Sequence, residues 1–99
     1  MTIEKKIIGS EMLLSLTGRL DTMTAPDLEQ TVCEDMGDIE KLVIDCEKLE
    51  YISSAGLRVL LKAHKKMSAL GGMTLLHVNE ENMEVFAVTG FDSILHIEA

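Results

Sequence analysis

Two neighbouring serines, Ser53 and Ser54, form the feature of this sequence best suited to regulated chemistry. They lie in the segment YISSAGL, residues 51–57, directly before a helical pattern of apolar residues begins. A serine in the first turn of a helix lies beside backbone amides that have no partner within that helix. These amides and the helix dipole stabilise an anion such as the phosphate of a phosphoserine. A phosphorylation site is therefore one interpretation of the pair.

Two other roles fit the same serines. Serine is a preferred N-cap residue, and spacing alone favours this purely structural role. Hydrolases carry their nucleophile in the pattern G-x-S-x-G, but residues 52–56 of this chain lack the first glycine. A chain of 99 residues also leaves little room for a substrate pocket and a lid. We therefore expect no enzyme here, and spacing leaves the cap and the phosphorylation site as alternatives.

The periodicity of the apolar residues indicates which elements position the serines. Residues 2–8 and 12–17 predict two strands joined by Gly9-Ser10 in a tight hairpin, the first strand lying at a sheet edge. A helix follows, with Thr24 as its N-cap and Gly37 at its end. The apolar face of this helix comprises Leu28, Val32 and Met36.

The second half of the chain continues the alternation of strands and helices. An unbroken apolar run such as residues 42–44 is typical of a central parallel strand that is buried on both faces. The apolar face of the next helix is predicted to contain Leu57, Leu60, Leu61, His64 and Met67. This helix is predicted at residues 54–70. The elements predicted after it are a strand at 73–78, a helix at 81–89 and a short strand at 95–98.

This alternation predicts right-handed crossovers and an α/β fold. We expect one domain over residues 1–99, with a mostly parallel mixed sheet of four to five strands. An antiparallel N-terminal hairpin forms the edge of this sheet, and the domain also contains three to four helices. The loops after parallel strands share one edge of a sheet. Such loops are predicted at residues 18–21, at 47–53 and from Asn79, which brings Asp21 close to Ser54.

Charge and composition disfavour several functions. A net charge of -8, from 17 acidic and 9 basic side chains, repels a phosphate backbone and so favours protein partners over nucleic acids. No apolar run approaches the ~20 residues that cross a bilayer, which predicts a cytoplasmic protein without membrane contact. Cys33 and Cys46 are isolated, so both are predicted to be core residues. His77 and His96 belong to no recognisable motif, and we expect neither a metal nor a cofactor.

Four basic residues lie within about 100° of arc on the second predicted helix, opposite its apolar face. We call them the basic stripe: Arg58, Lys62, Lys65 and Lys66. They fit a solvated surface or a docking surface for an acidic patch on a partner. Both interpretations stay open.

Two blocks of this sequence resemble the STAS domain family, in its stand-alone anti-sigma-factor antagonist branch. The first block is LTGRLD, residues 16–21, with Ala25 beyond it. The second and more specific block starts with LVIDC, residues 42–46, and leads through Leu49 into YISSAGL, residues 51–57. The resemblance spans nearly the whole chain.

The resemblance implies a bacterial regulator of transcription with no catalytic activity of its own. Proteins of this kind, when unphosphorylated, bind an anti-sigma factor that is also a serine kinase, and so release a sigma factor. Phosphorylation breaks the complex, and a separate serine phosphatase restores the active form. The oligomeric state is not implied.

Matched residue by residue, the resemblance implies that Ser54 is the phosphoacceptor, Gly56 the glycine after it and Asp21 the acidic residue after the second strand. Ser53 stands where many members have Asp, and Ala55 where many have Ser or Thr. The acceptor is therefore Ser54 or Ser53, and the register favours Ser54. The predicted partner-binding residues are Asp21, Ser53, Ser54, Ala55, Gly56, Arg58 and Lys62. The alternative is a STAS-like scaffold or small-ligand sensor that is never phosphorylated.

Overall fold

The structure, a computed structural model, describes residues 1–34 and 39–98. Its elements in chain order are β1 (Thr2–Ile8), β2 (Glu11–Leu20), α1 (Ala25–Glu34), β3 (Lys41–Ile52), α2 (Ser54–Ser68), β4 (Met73–Leu76), α3 (Glu80–Thr89), a 3-10 turn (Phe91–Ser93) and β5 (His96–Glu98). The predicted α/β class and the order of strands and helices are confirmed. None of the helices in the two described segments is long and apolar enough to cross a membrane.

The five strands form one mixed sheet in the order β1-β2-β3-β4-β5. β1 lies at the edge and pairs antiparallel with β2, as the hairpin pattern predicts. Gly9, with a φ of +61°, provides the left-handed turn between these two strands. The remaining neighbours are parallel, so that β3 is a central strand.

The two faces of the sheet differ because the strand order never reverses. Successive right-handed crossovers in one direction place α1, α2 and α3 on the same face. The side chains of β2 and β3 on that face are buried in a single core, which also includes Phe86 of α3. We call the opposite face, on which none of the described helices packs, the open face. It includes Leu13, Ser15, Val43, Asp45 and Leu76, which are paired across neighbouring strands.

Two predicted loops are in fact strand. β2 continues to Leu20, and β3 continues to Ile52, where loops were expected at residues 18–21 and 47–53. Register shifts between Ser15 and Thr17, and between Gly18 and Arg19, let the pairing resume beyond each irregularity. In these segments alternate side chains lie on the open face and are polar. The apolar pattern that predicts a strand is therefore interrupted there.

Two details of side-chain burial also differ from expectation. Cys33 is exposed on α1 and is no core residue, because α1 buries Ala25, Leu28 and Val32 instead. Cys46 is buried as predicted, and its burial raises the pKa of the thiol to about 12. Of the predicted apolar face of α2, Leu61 and His64 are only half-buried, whereas Val59 and Ala63 are buried. Met36 and Gly37, which were predicted to continue and end α1, lie outside the described residues.

Candidate functional site

The two serines occupy different positions at the junction of β3 and α2. Ser53 is the N-cap of α2: its backbone is extended, and its Oγ accepts a hydrogen bond from the amide of Gly56 at 3.3 Å. Ser54 is the first residue of α2, and its side chain is exposed. The first turn of α2 contains no acidic residue. Ser53 therefore has the structural role, and Ser54 offers an accessible hydroxyl.

β2 ends against the same junction. The amide of Ser53 donates to the carbonyl oxygen of Leu20 at 2.8 Å, and Leu20 pairs with Ile52. Gly56 is buried against Leu20, because a Cβ at Gly56 would lie 2.7 Å from Leu20 Cγ and 3.0 Å from its carbonyl oxygen. Gly56 thus allows α2 to approach β2 closely. Ala55 is half-buried against the core.

Asp21 places a carboxylate at the same edge, one residue beyond β2. Its Oδ1 accepts hydrogen bonds from the amides of Met23 at 3.0 Å and Thr24 at 3.2 Å. Partial burial raises the pKa of Asp21, but these bonds and the Thr24 hydroxyl outweigh it and hold the pKa below the usual 3.8. The hydroxyl of Thr24, predicted to cap α1, instead accepts a hydrogen bond from the amide of Asp21 and donates one to the carbonyl of Arg19.

Exposed side chains beside Asp21 were not among the predicted site residues. The guanidinium carbon of Arg19 lies 4.4 Å from the centroid of the Tyr51 ring, and its Nε lies 3.9 Å from Asp21 Oδ2. Met23 is 83% exposed, which is unusual for a large apolar side chain. Met23 lies in a turn between two threonines, so no periodic pattern could indicate its exposure. We call the surface formed by Arg19, Asp21, Met23, Tyr51 and Ser54 the rim.

All four residues of the basic stripe are exposed on α2. Lys62, a predicted partner contact, forms an ion pair with Glu29 of α1; the hydrogen bond in this pair lowers the pKa of Glu29 and raises that of Lys62. Lys66 lies with its Nζ 3.5 Å from Cys33 Sγ. Within residues 1–34 and 39–98, Arg58 and Lys65 have no ion-pair partner. Part of the stripe therefore joins α2 to α1, and Arg58 and Lys65 project toward solvent.

The rim presents polar, charged and apolar groups together on one surface. It offers one exposed hydroxyl at the start of a helix, one carboxylate and one exposed methionine. Its five residues include no histidine or cysteine that could act as a base or a nucleophile. A single carboxylate also falls short of the donor set of a metal site.

Comparison with known proteins identifies the family of this chain. The family model described as "STAS domain" matches residues 2–99. The protein BtrV of Bordetella bronchiseptica, named as an anti-sigma factor antagonist, is 32% identical over 99 residues, which cover 98% of this chain and 84% of BtrV. The match therefore extends over almost the full length of both chains.

Solved structures of the same fold agree. An anti-sigma factor antagonist from Mycobacterium paratuberculosis has a TM-score of 0.87 at 26% identity, with 98% of this chain and 84% of that chain covered. The Bacillus cell fate determinant SpoIIAA, in its phosphorylated form, has a TM-score of 0.77 at 17% identity, with coverages of 99% and 92%, and supports the fold alone. This chain belongs to the STAS domain family, among the anti-sigma factor antagonists.

Proposed function

We propose that this protein is a phosphorylation-controlled anti-sigma factor antagonist in which Ser54 is the phosphoacceptor. The unphosphorylated form binds an anti-sigma factor that is also a serine kinase, and a sigma factor is released. Phosphorylation by that kinase ends the interaction, and a serine phosphatase restores it. The protein then acts in the bacterial cytoplasm as a binding partner and a substrate, with no catalysis of its own. The exposed position of Ser54 at the start of α2 is the observation that carries this proposal.

The amides of the first turn favour a phosphate at Ser54. The amide of Gly56 donates a hydrogen bond to the Ser53 side chain, and the amide of Leu57 donates one to the carbonyl of Ser53 at 2.9 Å. In the described part of the chain, the amides of Ser54 and Ala55 have no such partner. A phosphoserine carries about -1.5 to -2 charges, and it can accept bonds from these amides without unfolding the helix.

The same geometry favours Ser54 over Ser53 as the acceptor. Ser53 is half-buried, and its Oγ is occupied by the amide of Gly56. A kinase must bring the hydroxyl into line with a nucleotide phosphate, which an exposed side chain allows and an occupied cap hinders. Ser54 therefore offers the better substrate.

The phosphate would act on partner binding through charge and hydration. It would add negative charge to a surface that already carries Asp21. A partner that packs against the rim, including the exposed Met23, would have to strip water from the phosphate. Arg58 lies one helical turn after Ser54 on the same surface of α2, so it belongs to the contact we propose, with Lys62 at its margin.

Mapping the modified residue tests this proposal. The purified protein is incubated with ATP and the serine-kinase anti-sigma factor of its own organism, and phosphate is located by mass spectrometry. We expect phosphate on Ser54 in the unaltered protein and in the matched control Ser53→Ala, and none in Ser54→Ala. Phosphate on Ser53, or none with a kinase that is active on itself or another substrate, would overturn the assignment. Absence of phosphate from both serines would favour a scaffold or small-ligand sensor.

A further inference from the structure

Three side chains with metal-binding groups meet on the open face, at a distance along β3 from the serines. Asp45 and Glu47 belong to β3, and His77 directly follows β4. One ligand atom from each residue can be chosen so that all lie within 4.8 Å of one another. The set combines one imidazole nitrogen with two carboxylates, and it is drawn from two different strands.

The spacing of the two better-fixed ligands suits a single ion. His77 Nδ1 lies 3.1 Å from Asp45 Oδ1. Two ligand atoms at this separation, each about 2.1 Å from a zinc ion, subtend about 95° at the metal. That angle is close to the one between adjacent ligands in four- to six-coordinate complexes. The exposed Glu47 supplies a third ligand on a flexible side chain, and water completes the coordination.

The backbone holds Asp45 and His77 in these positions. The amide of Glu47 donates to Asp45 Oδ1 at 3.0 Å, and the amide of His77 donates to the carbonyl of Glu98 on β5 at 2.8 Å. A metal ion would take the place of the proton that Asp45 Oδ1 and His77 Nδ1 share in their ion pair.

Access and charge agree with a cation site. A polar cleft opens beside the cluster, with oxygen donors on its walls and one cationic side chain; it is lined by Glu4, Ser15, Thr17, Asp45, Glu47 and Lys48. The ion pair between Asp45 and His77 explains their contact without a metal, and Glu47 places a second negative charge beside the same imidazole ring. A nitrogen donor next to carboxylates selects zinc-like ions over Mg²⁺ and Ca²⁺.

We propose that Asp45, Glu47 and His77 bind one divalent transition-metal ion of the zinc class on the open face. The site stands apart from the proposed switch, because Asp45 and Glu47 lie within β3 and His77 directly follows β4, whereas Ser53 and Ser54 follow the end of β3. Its presence or absence therefore leaves the assignment of Ser54 unchanged.

Calorimetric titration with ZnCl₂ tests the site in the full-length chain. Cys33 is exposed, and a free thiol can bind zinc, so every protein in the titration carries Cys33→Ser. We expect one ion per chain. Each of Asp45→Asn, Glu47→Gln and His77→Gln should weaken binding about tenfold or more. The matched control is His96→Gln, an exposed histidine on the neighbouring strand β5, and it should bind as the parent does.

Absence of binding by the Cys33→Ser parent would overturn the proposal, as would equal losses in His77→Gln and His96→Gln. A second measurement needs no further variant. Of the three histidines of the chain, only His77 should show imidazole proton signals shifted by one equivalent of Co²⁺. Unshifted His77 signals, or equal shifts at His64 and His96, would equally reject the site.

Discussion

The helices α2 and α3 begin at the same edge of the sheet with similar caps, yet their first turns are built differently. Ser53 Oγ accepts a hydrogen bond from the amide of Gly56, and Asn79 Oδ1 accepts one from the amide of Asn82 at 2.8 Å. The first turn of α3 then carries Glu80 and Glu81, whereas that of α2 carries no acidic residue.

The first turn of α3 therefore carries a fixed negative charge, whereas the first turn of α2 carries none. In α3, two carboxylates complement the helix dipole, and the side-chain amides of Asn79 and Asn82 both donate to the carbonyl of Leu49. In α2, Ser54 occupies the position of Glu80 and can gain negative charge only by modification. The same helix geometry thus serves structure in α3, and in our proposal it serves regulation in α2.

The largest expected effect concerns the packing beneath α2. Gly56→Ala introduces a Cβ that collides with Leu20, and we expect the free energy of unfolding to fall by about 1–3 kcal/mol. Urea unfolding measures this loss. Ser54→Ala, two residues earlier in the same turn, is the control and should change stability by less than about 0.5 kcal/mol. Equal losses of stability in the two variants would mean that the Ser54 side chain contributes to packing as much as Gly56 does. That result would contradict the exposed position of Ser54.

The two caps should differ in the cost of their removal. Ser53→Ala removes one hydrogen bond to the helix, which costs about 1 kcal/mol. Asn79→Ala also removes the bond from its side-chain amide to Leu49, so its cost should be higher, at about 1–2 kcal/mol. Urea unfolding of both variants gives the comparison. A greater loss for Ser53→Ala would contradict the view that α3 is the more firmly tied helix.

The smallest expected effect is electrostatic. Ser54→Asp adds a carboxylate to the first turn of α2 and should raise the free energy of unfolding by about 0.3–1 kcal/mol at low ionic strength. Glu80→Gln removes one from α3 and should lower it by a similar amount. Thermal unfolding at low and high salt checks both, since added salt should reduce both changes. A destabilising Ser54→Asp would mean that the start of α2 does not accept negative charge.

Local patterns were sufficient to predict the order of the elements and the position of the serines. The hairpin follows from Gly9-Ser10, and the start of α2 follows from a preferred cap residue before a helical apolar pattern. The extension of β3 to Ile52 was missed because its later residues alternate onto the open face and carry charges. Pairing with β2 across two irregularities holds this segment in the sheet.

Features that depend on contacts between distant parts of the chain could not be found in the sequence. His77 meets Asp45 from 32 residues away, and no motif in the sequence joins the two residues. Lys62 was assigned to a partner, although Glu29 of α1 already pairs with it. The assignment of Ser54 as phosphoacceptor rested on the family resemblance, because spacing alone also fitted a simple cap.

The affinity for the anti-sigma factor, measured by titration calorimetry with and without phosphate on Ser54, tests the central claim most directly. We predict that the unmodified protein and Ser54→Ala bind equally well and that the Ser54-phosphorylated protein binds at least about tenfold more weakly, which corresponds to about 1.4 kcal/mol. Phosphatase treatment should restore the original affinity. Equal affinities of the phosphorylated and unmodified proteins would contradict the claim that charge at the start of α2 controls the interaction.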